Sequence, residues 1–75
     1  MTVSFQYYSE NEDGRDDYRF SSEAEAMEKF ESLKEIIRVQ FLDCADAEIV
    51  DEPDFFGIFD HRTGDWAKTF FTSDK

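Results

Sequence analysis

Ser22-Glu23-Ala24-Glu25-Ala26-Met27-Glu28-Lys29-Phe30-Glu31-Ser32-Leu33-Lys34-Glu35-Ile36-Ile37-Arg38-Val39-Gln40-Phe41 is the stretch whose reading decides the fold. Ala26, Met27, Phe30, Leu33, Ile37 and Phe41 recur at steps of three and four residues, so at 100° per residue they fall on one stripe of a helix. Glu28, Glu31 and Glu35 sit opposite, and Val39 is read as pointing away from the stripe. Ser22 followed by Glu25 is a capping box, which satisfies otherwise orphan N–H groups and predicts a helix start at Glu23. Glu25 with Lys29 and Glu35 with Arg38 are spaced to pair along the helix surface, for a few tenths of a kcal/mol each.

Working outward, the period changes to two. Upstream, Val3, Phe5 and Tyr7 alternate with Thr2, Ser4 and Gln6, the pattern of a strand with one face on a core. Ser9 to Gly14 carries turn residues, with Gly14 read as free to take φ > 0, and Asp16 to Phe20 resumes the alternation as a short second strand. Downstream, Ala47, Ile49 and Val50 predict a third strand. Pro53 interrupts, Phe55-Phe56-Gly57-Ile58-Phe59 predicts a fourth, His61 to Asp65 a turn, and Trp66 to Thr72 the last. The predicted order is ββαβββ: a single α+β domain over residues 1–75, an antiparallel sheet with one amphipathic helix packed on one face. In the fourth strand Phe55 and Phe59 lie on one face and Phe56 and Ile58 on the other, yet one helix covers one face only. Either a strand end, a bulge at Gly57 or the termini cover the remaining apolar surface, or a second copy or a partner does.

Composition narrows the function. With 75 residues the chain buries only about 60% of its unfolded surface, a thin core that argues against a deep catalytic cavity. A content of 40% hydrophobic and 17% aromatic residues is too rich for a disordered acidic tail, so the chain is expected to fold despite its formal charge of −11. The lone Cys44 makes no intramolecular disulfide, which fits a reducing compartment. Met1 to Gln6 has no basic and apolar signal regions, and no stretch approaches the roughly 20 apolar residues of a membrane span. The expectation is a cytoplasmic protein bound to neither membrane nor nucleic acid, since both would repel it, with basic proteins as partners.

Charge is distributed unevenly. Residues 1–22, 23–42, 43–60 and 61–75 carry −3, −2, −7 and +1, so most of the excess lies in one segment with no basic residue. Its acids are Asp43, Asp46, Glu48, Asp51, Glu52, Asp54 and Asp60. Glu23 and Glu25 suit the positive end of the helix dipole, but Asp43 and Asp46 follow its negative end, where an acid is disfavoured by roughly 0.3 to 1 kcal/mol. Asp46 and Glu48 on one strand face would lie about 6.6 Å apart and form a row with Asp51, Glu52 and Asp54. Such a row presents the repeated negative charge of a nucleic-acid backbone. In size, acidity and lone-helix-plus-sheet plan, with Asp43 to Asp54 as the stretch concerned, the chain resembles the small phage-encoded inhibitors of host defence, DNA mimics and anti-CRISPR proteins among them. That resemblance implies a non-enzymatic inhibitor that occupies the basic groove of a nucleic-acid-binding protein such as a defence nuclease.

Other chemistries fit less well. Asn11, Asp13 and Gly14 match positions of a calcium loop, but Ser9 and Phe20 fall where the first and last ligands belong. One Cys and one His do not make a structural zinc site, and nothing calls for a cofactor. Cys44 and His61, with Asp60 or Asp65 to orient the imidazole, would be a thiolate and base only if the surrounding acids did not raise the thiol pKa. Arg15, Arg19, Lys29, Lys34, Arg38, Arg62 and Lys68 are scattered among acids and form no basic stripe. The expected contact surface is therefore Asp43, Asp46, Glu48, Asp51, Glu52, Asp54 and Asp60, with Phe55 and Phe56 as anchors or, equally, as core. The alternative is an adaptor or subunit that binds a partner, or itself as a homodimer, through an open apolar sheet face.

Overall fold

The computed structural model describes residues 1–72; Asp74 and Lys75 of the charge count lie outside the described residues. Strands β1 (Thr2–Tyr8) and β2 (Asp13–Arg19), helix α1 (Glu23–Gln40), then β3 (Ala47–Glu52), β4 (Phe55–Asp60) and β5 (Trp66–Thr72) follow in that order. All pairings are antiparallel, in the spatial order β2-β1-β5-β4-β3. An N-terminal hairpin and a C-terminal meander thus join through β1 and β5. The helix leaves the β2 edge, crosses the sheet and delivers the chain to the opposite edge at β3.

The helix begins at Glu23 as the capping box predicts: Glu25 N–H donates to Ser22 Oγ at 3.2 Å, and the Ser22 hydroxyl donates to the Glu25 carboxylate at 3.1 Å. Its buried stripe is Ala26, Phe30, Leu33 and Ile37, continued by Phe41. These pack on Val3, Phe56, Ile58 and Ala67, and the Phe30 and Phe71 rings meet at 4.9 Å. A fully buried Phe or Ile contributes about 1.5 to 3 kcal/mol relative to exposure, so these few side chains carry most of the folding drive. Thr69, also buried in this layer, donates its hydroxyl to the Ser4 carbonyl at 2.9 Å and leaves no unsatisfied polar group there.

Four expectations shift in detail. Met27 is more exposed than the stripe implies, and Ile36 joins Val39 as an exposed apolar residue on the helix. Lys29, expected to reach Glu25, instead places Nζ 4.3 Å from the Tyr18 ring centroid. Strand β2 starts at Asp13, because the turn needs only Ser9 to Glu12, closed by Ser9 N–H to the Glu12 carbonyl at 2.7 Å. Gly14 therefore sits inside a strand without positive φ. Its missing side chain makes room for the Tyr7 ring, whose hydroxyl oxygen would lie 2.6 Å from a Cβ there. The residue with positive φ is Gly64, at 81°, in the β4–β5 turn.

Candidate partner-binding face

Strand alternation puts every second residue on the sheet face away from the helix. The pairing register aligns these residues into cross-strand rows. One row runs Tyr8, Trp66, Phe59, Glu48; the next Gln6, Lys68, Gly57, Val50; the third Ser4, Phe70, Phe55, Glu52. Two aromatic rows therefore flank a row with glycine at its centre. Tyr8 stacks on Trp66 and Phe55 on Phe70, each at 6.2 Å between ring centroids. Lys68 Nζ lies between the rows, 5.2 Å from the Trp66 ring and 5.6 Å from the Phe70 ring. These are cation–π distances.

Next to Lys68, where Gly57 has no side chain, the face holds a concavity of about 140 Å³ walled by Phe59, Trp66, Phe55 and Val50. A Cβ on Gly57 would come within 3.2 Å of the Phe55 ring and 3.3 Å of Lys68 Cβ, so the close approach of both side chains to this strand depends on that residue being glycine. Glu48 stands at its mouth on edge strand β3, and Glu52 lies further along the same face of that strand. The far end of the face is polar. There Ser4 donates its hydroxyl to Asp17, and Arg15 Nε meets the same carboxylate at 3.2 Å. The hydrogen bond from Ser4, then that from Arg15, holds the Asp17 carboxyl below its ordinary pKa against the opposing effect of burial.

The acidic segment does not form one row. Glu48 and Glu52 lie on the open face, whereas Asp51 projects to the helix side, 3.6 Å from Lys34 Nζ and 3.9 Å from Arg38. Asp43 and Asp46 are exposed in the segment before β3, and Asp54 is exposed in the β3–β4 turn. Asp60 is only 8% exposed and serves the β4–β5 turn by accepting the Arg62 N–H at 2.9 Å. That hydrogen bond is the main reason its carboxyl titrates below the usual range. Phe56, at 1% exposure, is core. Burial thus removes Asp60 and Phe56 from the surface a folded partner can touch, because both side chains point toward the helix layer. Phe55 stays on the open face, half-buried.

Phe59 shares this face with Phe55 as the alternation in β4 predicts, whereas Tyr8, Trp66, Lys68 and Phe70 belong to it but were not singled out by sequence reasoning. The even-numbered alternation Trp66, Lys68, Phe70 in β5 was the available signal. Cys44 and His61 do not form a pair. Burial and then the hydrogen bond to Asp60 push the Cys44 thiol pKa up, and His61 Nε2 meets Glu48 at 3.1 Å. Among the described residues, no three of the His, Cys, Asp and Glu side chains come together as metal ligands, and no helix is long and apolar enough to cross a membrane.

Fold and face define the class: an antiparallel α+β protein of one sheet and one helix, with an aromatic face open to solvent. No family model, curated protein or solved structure matches the chain.

Proposed function

We propose that this protein is a non-enzymatic binding module that captures a basic protein on its open sheet face, with the acidic edge strand β3 steering the partner. The observation that carries the reading is the juxtaposition of two aromatic rows with Glu48 and Glu52 on the same uncovered face. Aromatic residues at the centre of a surface supply most of the energy of typical protein interfaces, and charges at the rim raise the association rate and select the partner. The formal net charge of −11 favours a cationic target over a nucleic acid or an anionic membrane.

Mimicry of nucleic acid is the narrower form of the same reading, in which the basic target is a nuclease or another nucleic-acid-binding protein and the module inhibits it. Exposed Asp43, Asp46, Glu52 and Asp54 beside Glu48 support it, since they extend the negative surface beyond the aromatic rows. Affinity capture from a lysate, eluted by stepwise salt and then by competing DNA, tests both forms once the eluted proteins are identified by mass spectrometry. A partner displaced by DNA favours mimicry. A basic partner that resists DNA favours the adaptor form, and recovery of acidic proteins alone would contradict both.

A further inference from the structure

The open face already holds one cation, and the way it does so indicates what the empty part of the same groove accepts. Lys68 lies between Trp66 and Phe70 with its ammonium near both rings. One strand further, beside Gly57, the two aromatic rows continue as Phe59 and Phe55; the Phe55 ring leans over the glycine, and a hollow remains between that ring, Val50, Phe59 and Lys68. Arg15 lies over Phe70 in the same manner, its guanidinium carbon 5.5 Å from the centroid, so this face twice satisfies an aromatic ring with a cation of its own.

Resting on the binding reading above, we propose that the hollow beside Gly57 is the recognition pocket for a single arginine or lysine side chain of the partner. The aliphatic stem would lie beside Gly57 and Val50 between the Phe55 and Phe59 rings, and the charged head would reach Glu52 and Glu48 at the β3 edge, where Glu48 exchanges its contact with His61 for the guest. Each part of such a side chain then meets its complement: apolar walls for the methylenes, ring faces and carboxylates for the charge. Lys68 lines the same hollow from β5, so the guest's charged head would lie at the β3 side, toward the carboxylates and away from that ammonium. Arginine is the better guest, because its planar guanidinium stacks on an aromatic face and forks onto a carboxylate.

The test uses two probes on the full chain, followed by Trp66 fluorescence and by the Gly57 amide resonance. The first is a capped Gly-Gly-Arg-Gly-Gly peptide, compared with its citrulline counterpart, which keeps the shape and loses the charge. The second is poly-lysine, which reports the general attraction of the acidic face. The arginine peptide is expected to shift the Gly57 resonance and to bind about tenfold more tightly than the citrulline peptide. Gly57→Val should abolish this preference with poly-lysine binding retained, and the circular dichroism spectrum shows whether that variant is folded. Glu48→Gln with Glu52→Gln, both exposed, should weaken arginine binding without filling the pocket. Equal affinity for the arginine and citrulline peptides, or unchanged arginine binding by Gly57→Val, overturns the pocket while leaving the basic-partner reading standing. If Glu48→Lys with Glu52→Lys binds poly-lysine no more weakly than Glu10→Lys with Glu28→Lys, which changes net charge equally, the reading itself fails. Tighter binding of a proline-only peptide would assign the groove to an extended apolar segment instead.

Discussion

The two faces of the sheet are built from the same strands and differ in how deeply their aromatic rings are buried. Toward the helix, Phe56 packs with Phe30, Ile37 and Ile58 in a layer nearly closed to water. On the other side Tyr8 stacks on Trp66 and Phe55 on Phe70, Phe59 meets His61 edge-on, and Lys68 and Arg15 lie over the rings, as Lys34 and Arg38 do over Phe30 and Phe56 on the helix side. One face spends its rings on folding. The other keeps them accessible, at the cost of exposed apolar area that a monomer would ordinarily cover.

Adjacent and paired residues allow that contrast to be tested directly. Phe56→Ala is expected to cost about 3 to 5 kcal/mol in urea unfolding, as for other large-to-small core changes. Phe59→Ala, at 39% exposure, should cost less, about 1 to 2 kcal/mol, since only part of the ring's burial is lost. Equal losses would mean that the open face is a second core and not a surface held for a partner.

Two carboxylates sharpen the comparison through pH. Asp60 on the helix side and Asp17 on the open side both have pKa values lowered by folding from an unperturbed 3.8. A lowered folded-state pKa contributes stability above the unfolded value that is lost as pH falls through the folded one. Asp60→Asn should therefore destabilise the protein at neutral pH by less than Phe56→Ala, with the difference from wild type shrinking as pH falls below 3.8. Asp17→Asn should show the same sign with a smaller amplitude, because its partners are the hydroxyl of Ser4 and the exposed Arg15. Thermal unfolding across an acid series checks both.

The smallest effect separates neighbours on β3. Asp51→Asn loses its approach to Lys34 and Arg38, which is half-exposed and so worth at most about 0.5 to 1 kcal/mol, a difference that should vanish in high salt. Glu52→Gln should leave stability unchanged and act on binding alone. A larger stability loss for Glu52 than for Asp51 would reverse the assignment of faces on this strand.

Most of the architecture was legible because local patterns and long-range pairing agree. The capping box set the helix start, and the alternation of Phe55, Phe56, Ile58 and Phe59 placed the right side chains on each face of β4. The extent of β2 was hidden because Asp13-Gly14-Arg15-Asp16-Asp17 has the composition of a loop. It is an edge strand, and charge there discourages pairing with another sheet. The same reasoning supplies a structural role for acids on β3, the opposite edge. The acidic row was legible only as composition. Its division depends on Lys34 and Arg38 reaching Asp51 from the helix, and on Asp60 folding back to hold the Arg62 amide. The aromatic rows depend on the register of β5 between β1 and β4, which no local pattern encodes.

The most direct test of the open face as the contact surface is a quantitative capture of partners by charge-matched variants. Glu48→Lys with Glu52→Lys, and Glu10→Lys with Glu28→Lys, alter net charge equally but lie on β3 in one case and on the β1–β2 turn and the helix in the other. The basic partner retained by wild type should be lost by the first pair and kept by the second. Equal retention by both pairs would contradict the account and leave the carboxylates of β3 as charge for solubility alone.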